Sequence, residues 1–303
     1  MPEAAIEVRG LRKSYGDFDA VRGIDITVET GEVLAFLGPN GAGKTTTAEI
    51  LEGFRRRSDG DVRVLGEDPA RAGRAWRERI GVVLQQCRMT AELSVRETLE
   101  LYAGYYADPR GIDETIELVG LSEKAEARAG KLSGGQQRRL DVAAALVGKP
   151  ELLFLDEPTT GFDPTARRQA WEVLGNLRDL GTTVFLTTHY MDEAQALADR
   201  AMIIARGEIV AEGRPNDLGG RERMAPTVSF ALPAGTTVAD LPASVAAGAE
   251  ERNGYVSAVI EHPTRSVAEL TGWAAERGLE LDGLELRRPS LEDVYLELTE
   301  EPA

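Results

Sequence analysis

The sequence predicts an α/β protein with a mostly parallel core sheet, an antiparallel β subdomain and a helical subdomain, followed by a small C-terminal α+β domain. Three observations lead there. GEVLAFLG, ELLFLDEP and GTTVFLTTH each hold a short apolar run without polar alternation, the pattern of a strand buried on both faces of a parallel sheet. Each run stops abruptly and a helical pattern follows, as in successive β-α units. Between the first run and its helix stands GPNGAGKTT, Gly38 to Thr46. It fits G-x-x-x-x-G-K-[ST], a loop that wraps nucleotide phosphates.

Taken in order, IEVRGLRKSYG alternates at Ile6 and Val8 and turns at Gly16, a strand and a turn. AVRGIDITVETGE carries Ile24, Ile26 and Val28 at period two, which predicts a half-exposed antiparallel strand. Tyr15, just ahead of the turn, is placed either to stack on a nucleotide base or to fill the rim of the core. Beyond the loop, TTTAEILEGF sets Ala48, Leu51 and Phe54 at helical spacing, DVRVLGE reads as a short strand, and a basic helix is expected around Arg71 to Arg79. IGVVLQQ is an apolar strand ending in Gln85 and Gln86. A glutamine at such a tip reaches a metal or water near the phosphates, or lies in an ordinary loop. From Ala91 to Gly130 the pattern is helical, through SVRETLELYAGYY, IDETIELVGL and EKAEARAG, with capping-box spacing at Ser94 and Glu97.

The phosphate loop has a specific chemistry. Gly38, Gly41 and Gly43 let backbone amides turn toward one anion. Pro39, Asn40 and Ala42 complete the loop, Lys44 adds a cation, and the hydroxyls of Thr45 and Thr46 follow at the start of a helix whose positive end faces the same place. KLSGGQQRRLDVAAALVG then offers a second helix start at Ser133, Gly134, Gly135 and Gln136, a further anion site or a plain serine cap. In ELLFLDEPTTGFDP, Leu152 to Leu155 form a buried strand ending in Asp156 and Glu157. Buried carboxylates need a metal, water or a partner. In a phosphate-loop protein the first suits Mg²⁺ support and the second a water to be activated. Asp163 follows on a loop, where a turn aspartate before Pro164 is an equal reading. A third strand, from Thr182 to Leu186, ends near His189. Strand ends of an open α/β sheet share one crevice, so Gly38, Asp156 and His189 are expected together.

Composition narrows the classes. The 303 residues leave room for roughly two domains at ~150 each. With 35 basic against 51 acidic residues the formal net charge is −16, which disfavours non-specific nucleic-acid binding. Cys87 is the only cysteine, so no internal disulfide forms and a reducing compartment is expected. No stretch approaches the ~20 apolar residues of a membrane span, and MPEAAIEVRG lacks the apolar segment of a secretory signal. From Ala225 onward come strand-like TVSFAL and GYVSAVIEH, a helix from about Ser266 to Gly278, strand-like LELDGLELRR and a final helix over SLEDVYLELT. Ser266 with Glu269 and Ser290 with Asp293 have capping spacing. No chemistry is visible there.

GPNGAGKTT, LSGGQQ, LLFLDEP, GFD and TTH stand in that order, and with them the chain resembles the ATP-binding subunits of ABC transporters over roughly residues 5 to 220. The resemblance implies an ABC domain over 1–222, a helical subdomain at about 88–148 and an accessory domain over 225–303. It implies ATP and Mg²⁺ as ligands. Tyr15 then corresponds to the adenine-stacking residue and Gln85 to the glutamine-loop residue near the metal, with Gln86 leaving a one-residue slip open. Thr45 and Asp156 hold Mg²⁺, Ser133 to Gln136 form the signature, Glu157 is the catalytic glutamate, Asp163 the D-loop aspartate and His189 the switch histidine. Gly161 and Phe162 depart from the usual D-loop. The TTHYMDEAQALADR stretch and the RRPSLEDVYLELT ending look like bacterial exporters of the daunorubicin-resistance type. That implies a head-to-tail pair of two copies, a separate multi-span permease, and a cytoplasmic place on the membrane's inner face. An importer ATPase is the nearer alternative. Ribosome-acting relatives carry two cassettes, and the short span from Gln85 to Leu132 lacks the coiled-coil insertion of DNA-repair forms.

Overall fold

Period-two alternation in the N-terminal segments becomes an antiparallel sheet. β1 (Ala4–Tyr15) pairs with β2 (Phe18–Glu29) through a tight hairpin and with β4 (Asp59–Val64) on its other edge, in the order β2-β1-β4. Ile6, Val8, Ile24, Ile26 and Val28 are all buried in one apolar cluster. That cluster continues into the core sheet. The computed structural model describes residues 4–85, 91–179, 181–218 and 225–287, with only the backbone described at 176–179. The readings at Gln86, Cys87 and the final SLEDVYLELT helix, with its Ser290–Asp293 pair, lie outside the described residues.

The core sheet comprises β3 (Val33–Leu37), β5 (Ile80–Val83), β6 (Leu152–Asp156), β7 (Thr183–Thr188), β8 (Arg200–Ala205) and β9 (Glu208–Gly213). Their order is β5-β6-β7-β3-β8-β9, parallel as far as β8 and closed by the antiparallel β8–β9 hairpin. Every residue of β3, β6 and β7 is buried, which is why these strands read as unbroken apolar runs. Phe36 and Phe154 each pack on Phe185, with ring centres 5.5 and 5.8 Å apart. Register matters most here. Leu37 lies opposite Thr188 and Asp156 opposite Thr187, so the phosphate loop, the paired carboxylates and the His189 loop leave one edge of the sheet together.

α1 (Lys44–Leu51) starts directly from the phosphate loop. Phe54 falls beyond it at 70% exposure, because Gly53 at φ 79° turns the chain out of the helix. The expected basic helix shrinks to α2 (Arg74–Arg77), anchored by buried Trp76, whose Nε1 donates to the Val64 carbonyl at 2.8 Å. α3 (Val95–Ala103) has the full Ser94–Glu97 capping box, and α4 (Ile112–Leu118) follows. EKAEARAG differs from its helical pattern: it forms 3-10 turns at Ser122–Lys124 and Ala129–Lys131. The carbonyls of Ala125 and Ala127 accept from Arg96 and Val95 at the start of α3, so they do not close helical turns of their own. α5 (Gly134–Leu146), α6 (Pro164–Asp179) and α7 (Met191–Leu197) complete the first unit.

By its contacts the chain divides into compact units at Met1–Pro215 and Asn216–Ala303. The second holds a four-stranded antiparallel sheet in the order β11 (Ala249–Arg252), β12 (Tyr255–Val259), β10 (Thr227–Ala231), β13 (Glu285–Arg287). α8 (Ala243–Ala246) and α9 (Pro263–Glu276) belong to this unit. Val228, Phe230, Val256, Leu270 and Trp273 form its core. α9 begins at Pro263, a residue suited to the first helical position, so Ser266 lies buried inside the helix and does not cap it. No helix among the described residues is long and apolar enough to cross a membrane.

Candidate active site

A cavity of about 600 Å³ opens at the carboxyl edge of the sheet, lined by Tyr15, Phe18, Asn40, Gly41, Gly43, Lys44, Thr45, Thr46, Arg55, Gln85 and Glu157 among others. Two glycines make the loop possible. Gly43 has φ 111° and a Cβ there would stand 2.6 Å from the Ala20 carbonyl. At Gly38 a Cβ would run into the Ile204 carbonyl. Lys44, at the first position of α1, is buried and folds back on the loop, donating to the Gly38 carbonyl at 2.8 Å and the Pro39 carbonyl at 3.3 Å. Burial pulls its ammonium below the usual range, and the neighbouring Glu157 carboxylate pulls it back up. The Ala42 carbonyl accepts from Gly207, pinning the loop to the β8–β9 turn. Pro39 and Ala42 border a second cavity of about 260 Å³.

Glu157 is the hub. Its Oε1 lies 3.4 Å from Lys44 Nζ, and its Oε2 accepts from Gln85 Nε2 at 3.0 Å and Thr160 Oγ1 at 3.1 Å and stands 3.4 Å from His189 Nδ1. Burial pushes its carboxyl up, but Lys44, His189 and the Thr160 hydroxyl outweigh that and hold it below the ordinary range. It is therefore a carboxylate at neutral pH. Its φ of 44° is rare for a residue with a side chain, and the amide is held by the Thr187 carbonyl at 3.0 Å and Thr187 Oγ1 at 3.1 Å. Asp156, beside it, accepts from Thr187 Oγ1. Burial raises its carboxyl, against that hydrogen bond, and Glu157 adds to the rise.

The remaining residues separate into groups. Ser133 and Gln136 form a reciprocal capping box at the start of α5, with Gly134 and Gly135 in the first turn. They do not line the cavity. Asp163 accepts from the amides of Thr165 and Ala166 at 2.9 Å each and so caps α6. Phe18 and Arg55 line the cavity although no motif pointed to them. Arg55 pairs with Glu49 at 2.5 Å and sits 5.4 Å from the centre of the Tyr15 ring, which Lys13 also approaches at 4.8 Å. Tyr15 remains 41% exposed. Glu193, fully buried, accepts from Thr159 at 2.8 Å and Trp171 at 3.3 Å, and so joins α7 to the segment after Glu157. Nothing in the sequence separates Phe18, one residue from the turn, or Arg55, one of three consecutive arginines.

A Mg²⁺ ion fits the chemistry of these residues. Thr45, Gln85 and Asp156 offer oxygen donors, and the Gln85 amide nitrogen is engaged with Glu157, which leaves its oxygen. Oxygen donors of this kind, completed by substrate phosphates, suit a small hard cation. A phosphate loop, a buried lysine and a strand-end carboxylate pair at one crevice define a nucleotide-hydrolysing cassette.

Residues 21–160 match the ABC transporter family, and residues 226–290 match the family of ABC transporter-like C-terminal domains. The chain is 38% identical to the daunorubicin resistance ATP-binding protein DrrA3 of Streptomyces coeruleorubidus, over 99% of this chain and 97% of that one. It is 39% identical to the Nod factor export ATP-binding protein I of Burkholderia lata, over 99% and 98% respectively. Among solved structures, cbiO1 of Clostridium perfringens, part of the cbiONQ transporter complex, superposes with TM-score 0.63 at 28% identity, over 71% of this chain and 90% of that one. The ATP-binding cassette MJ0796, solved as a dimer with ADP and Pi, shares the fold with TM-score 0.62 at 24% identity, over 69% of this chain and 98% of that one. The chain belongs to the ATP-binding subunits of ABC transporters: it binds nucleotide, hydrolyses ATP and powers a transporter.

Proposed function

We propose that this ATPase drives export of drugs, antibiotics or other hydrophobic compounds. The observation that carries the direction is likeness along the whole chain, second unit included, to proteins named for daunorubicin resistance and Nod factor export. Glu157 orients the attacking water. Its carboxylate stays ionised and is aimed by Lys44, Gln85, Thr160 and His189. Lys44 counters charge on the transferring phosphoryl group, and His189 steadies the carboxylate from the opposite side. Tyr15 stacks on the adenine, while Gly38 to Thr46 wrap the phosphates. Thr45, Asp156 and Gln85 hold Mg²⁺, which when bound neutralises phosphate oxygens.

Ser133 to Gln136 and Asp163 lie away from their own subunit's cavity, which favours a head-to-tail pair in which they reach a second copy. Closure on ATP and release after hydrolysis would then move a separate multi-span permease. The ATPase sits on the cytoplasmic face through that permease, and the division into residues 1–222 and an accessory 225–303 follows the same scheme. A net charge of −16 speaks against nucleic acid as partner. The test is purification of the tagged chain from detergent-solubilised cells with ATPase assay of the eluate. The proposal expects a polytopic membrane protein and activity stimulated by a hydrophobic drug. Recovery of ribosomes or DNA without a membrane protein would overturn it. Stimulation only by a substrate-binding protein would make the chain an importer subunit.

A further inference from the structure

Two adjacent arginines on α5 part ways. Arg139 reaches the Val119 and Gly120 carbonyls near the surface, whereas Arg138 is buried and turns toward the strand ends. Its Nε donates to the Pro158 carbonyl at 2.9 Å, its Nη2 to the Asp156 carbonyl at 3.0 Å and its Nη1 to the Leu84 carbonyl. Asp141, one turn along the same helix, balances the charge at 3.8 Å. Three nitrogens of one planar group thus hold three carbonyls from two strand ends and one turn.

The choice of carbonyls is informative. Asp156 and Pro158 stand on either side of Glu157, the residue with φ 44°. A side-chain-bearing residue keeps that backbone conformation only where its surroundings over-determine it. Thr187 and Arg138 hold the Asp156–Glu157 peptide plane from its amide and its carbonyl. The Thr160 amide donates to the Glu157 carbonyl at 3.3 Å, and Arg138 holds the Pro158 carbonyl one plane further on, so the turn is fixed on both sides of the side chain. Leu84 precedes Gln85, whose amide bonds the same carboxylate. One guanidinium therefore sets both the carboxylate and the amide that aims it. It does so from the helix that Ser133 caps.

We propose that Arg138 is a positioning residue that locks the Glu157 turn and the Gln85 strand end to the helix carrying the Ser133 motif, so that displacement of that helix re-aims the hydrolytic carboxylate. This rests on the assignment of Glu157 above. Lysine cannot replace the fork: a single ammonium matches at most part of a three-carbonyl pattern and leaves buried acceptors without donors.

The experiment compares Arg138→Lys, Glu157→Gln and the double variant in the full-length chain, reading steady-state and single-turnover ATP hydrolysis and binding of a fluorescent ATP analogue. Arg138→Lys is expected to lower kcat about tenfold, since small misplacement of a reacting group is costly, with analogue affinity within about twofold. On the Glu157→Gln background it is expected to add no further loss, because groups acting as a unit are non-additive. Turnover of Arg138→Lys within about twofold of the parent would overturn the proposal. So would an equal loss of affinity and rate, or losses that multiply in the double variant. If circular dichroism shows Arg138→Lys unfolded, Arg138→Gln, which keeps a planar donor, takes its place under the same criteria. Unimpaired Glu157→Gln would overturn the catalytic assignment and this proposal together. An inactive Glu157→Gln beside an unimpaired Arg138→Lys would overturn this one alone.

Discussion

The core sheet of the first unit and the four-stranded sheet of the second are built from similar apolar residues, yet they end differently. At the edge of the first, Lys44, Asp156 and Glu157 are buried, with Glu52 and Glu193 packed nearby in the same unit. Among the described residues the second unit buries no charged group, and its one buried polar side chain is Ser266. Burying charge is unfavourable unless it is paired and hydrogen-bonded. Among the described residues the first unit buries seven ionisable groups, Arg138 and Asp141 included, and the second none, so the chemistry of the described residues lies in the first unit.

The comparison breaks most sharply at Glu157. Glu157→Gln keeps the side-chain volume and is expected to cut kcat by roughly 10²–10⁴, the range for loss of a general base. Nucleotide affinity should be largely preserved, because Lys44 keeps its Gly38 and Pro39 carbonyls; quench-flow hydrolysis beside equilibrium binding would measure both. Lys44→Ala acts on the same pair from the other side. It removes the cation that holds Glu157 low, so the remaining carboxyl should rise in pKa and nucleotide binding should weaken by at least tenfold, about 1.4 kcal/mol. Tight binding of the fluorescent analogue to Lys44→Ala would remove the lysine from the site.

Most of this edge was legible in the sequence because its constraints are local. Gly38 and Gly43 are fixed by backbone sterics, and the runs at Val33–Leu37 and Leu152–Asp156 by burial on both faces. Where tertiary contacts decide, the sequence was silent or misleading. EKAEARAG has helical composition, but the start of α3 takes its carbonyls. Phe54 keeps helical spacing after Gly53 has ended the helix. Arg138 and Arg139 are indistinguishable neighbours until the strand ends are in place. α8 and β11 have four residues each, too few for periodicity to show.

The second unit sharpens the comparison through packing. Phe230 is fully buried among Val228, Val256 and Trp273, and Phe230→Ala should remove roughly 3–5 kcal/mol from that sheet. If chemistry is confined to the first unit, the variant should melt with an earlier, separate transition while kcat at 25 °C stays within about twofold. Hydrolysis lost in step with the early transition would show that the first unit depends on the second.

The smallest effect concerns a buried acid outside the reacting pair. Glu52 follows α1, and burial, followed by the nearby Asp156 and Glu49, pushes its carboxyl from 4.5 up to about 8. The folded chain therefore binds a proton that the unfolded chain releases throughout that interval. Its contribution to stability is full below pH 4.5, declines as pH rises and is exhausted above about 8. Glu52→Gln has no proton to lose, so its advantage over the parent should grow from near zero at pH 5 to roughly 2–3 kcal/mol at pH 8, a figure reduced for relaxation around the charge. Urea titrations of both proteins across that range provide the measurement. Curves separated by a constant offset would mean that Glu52 is already ionised in the folded state, and that the first unit tolerates an unpaired carboxylate beside Asp156.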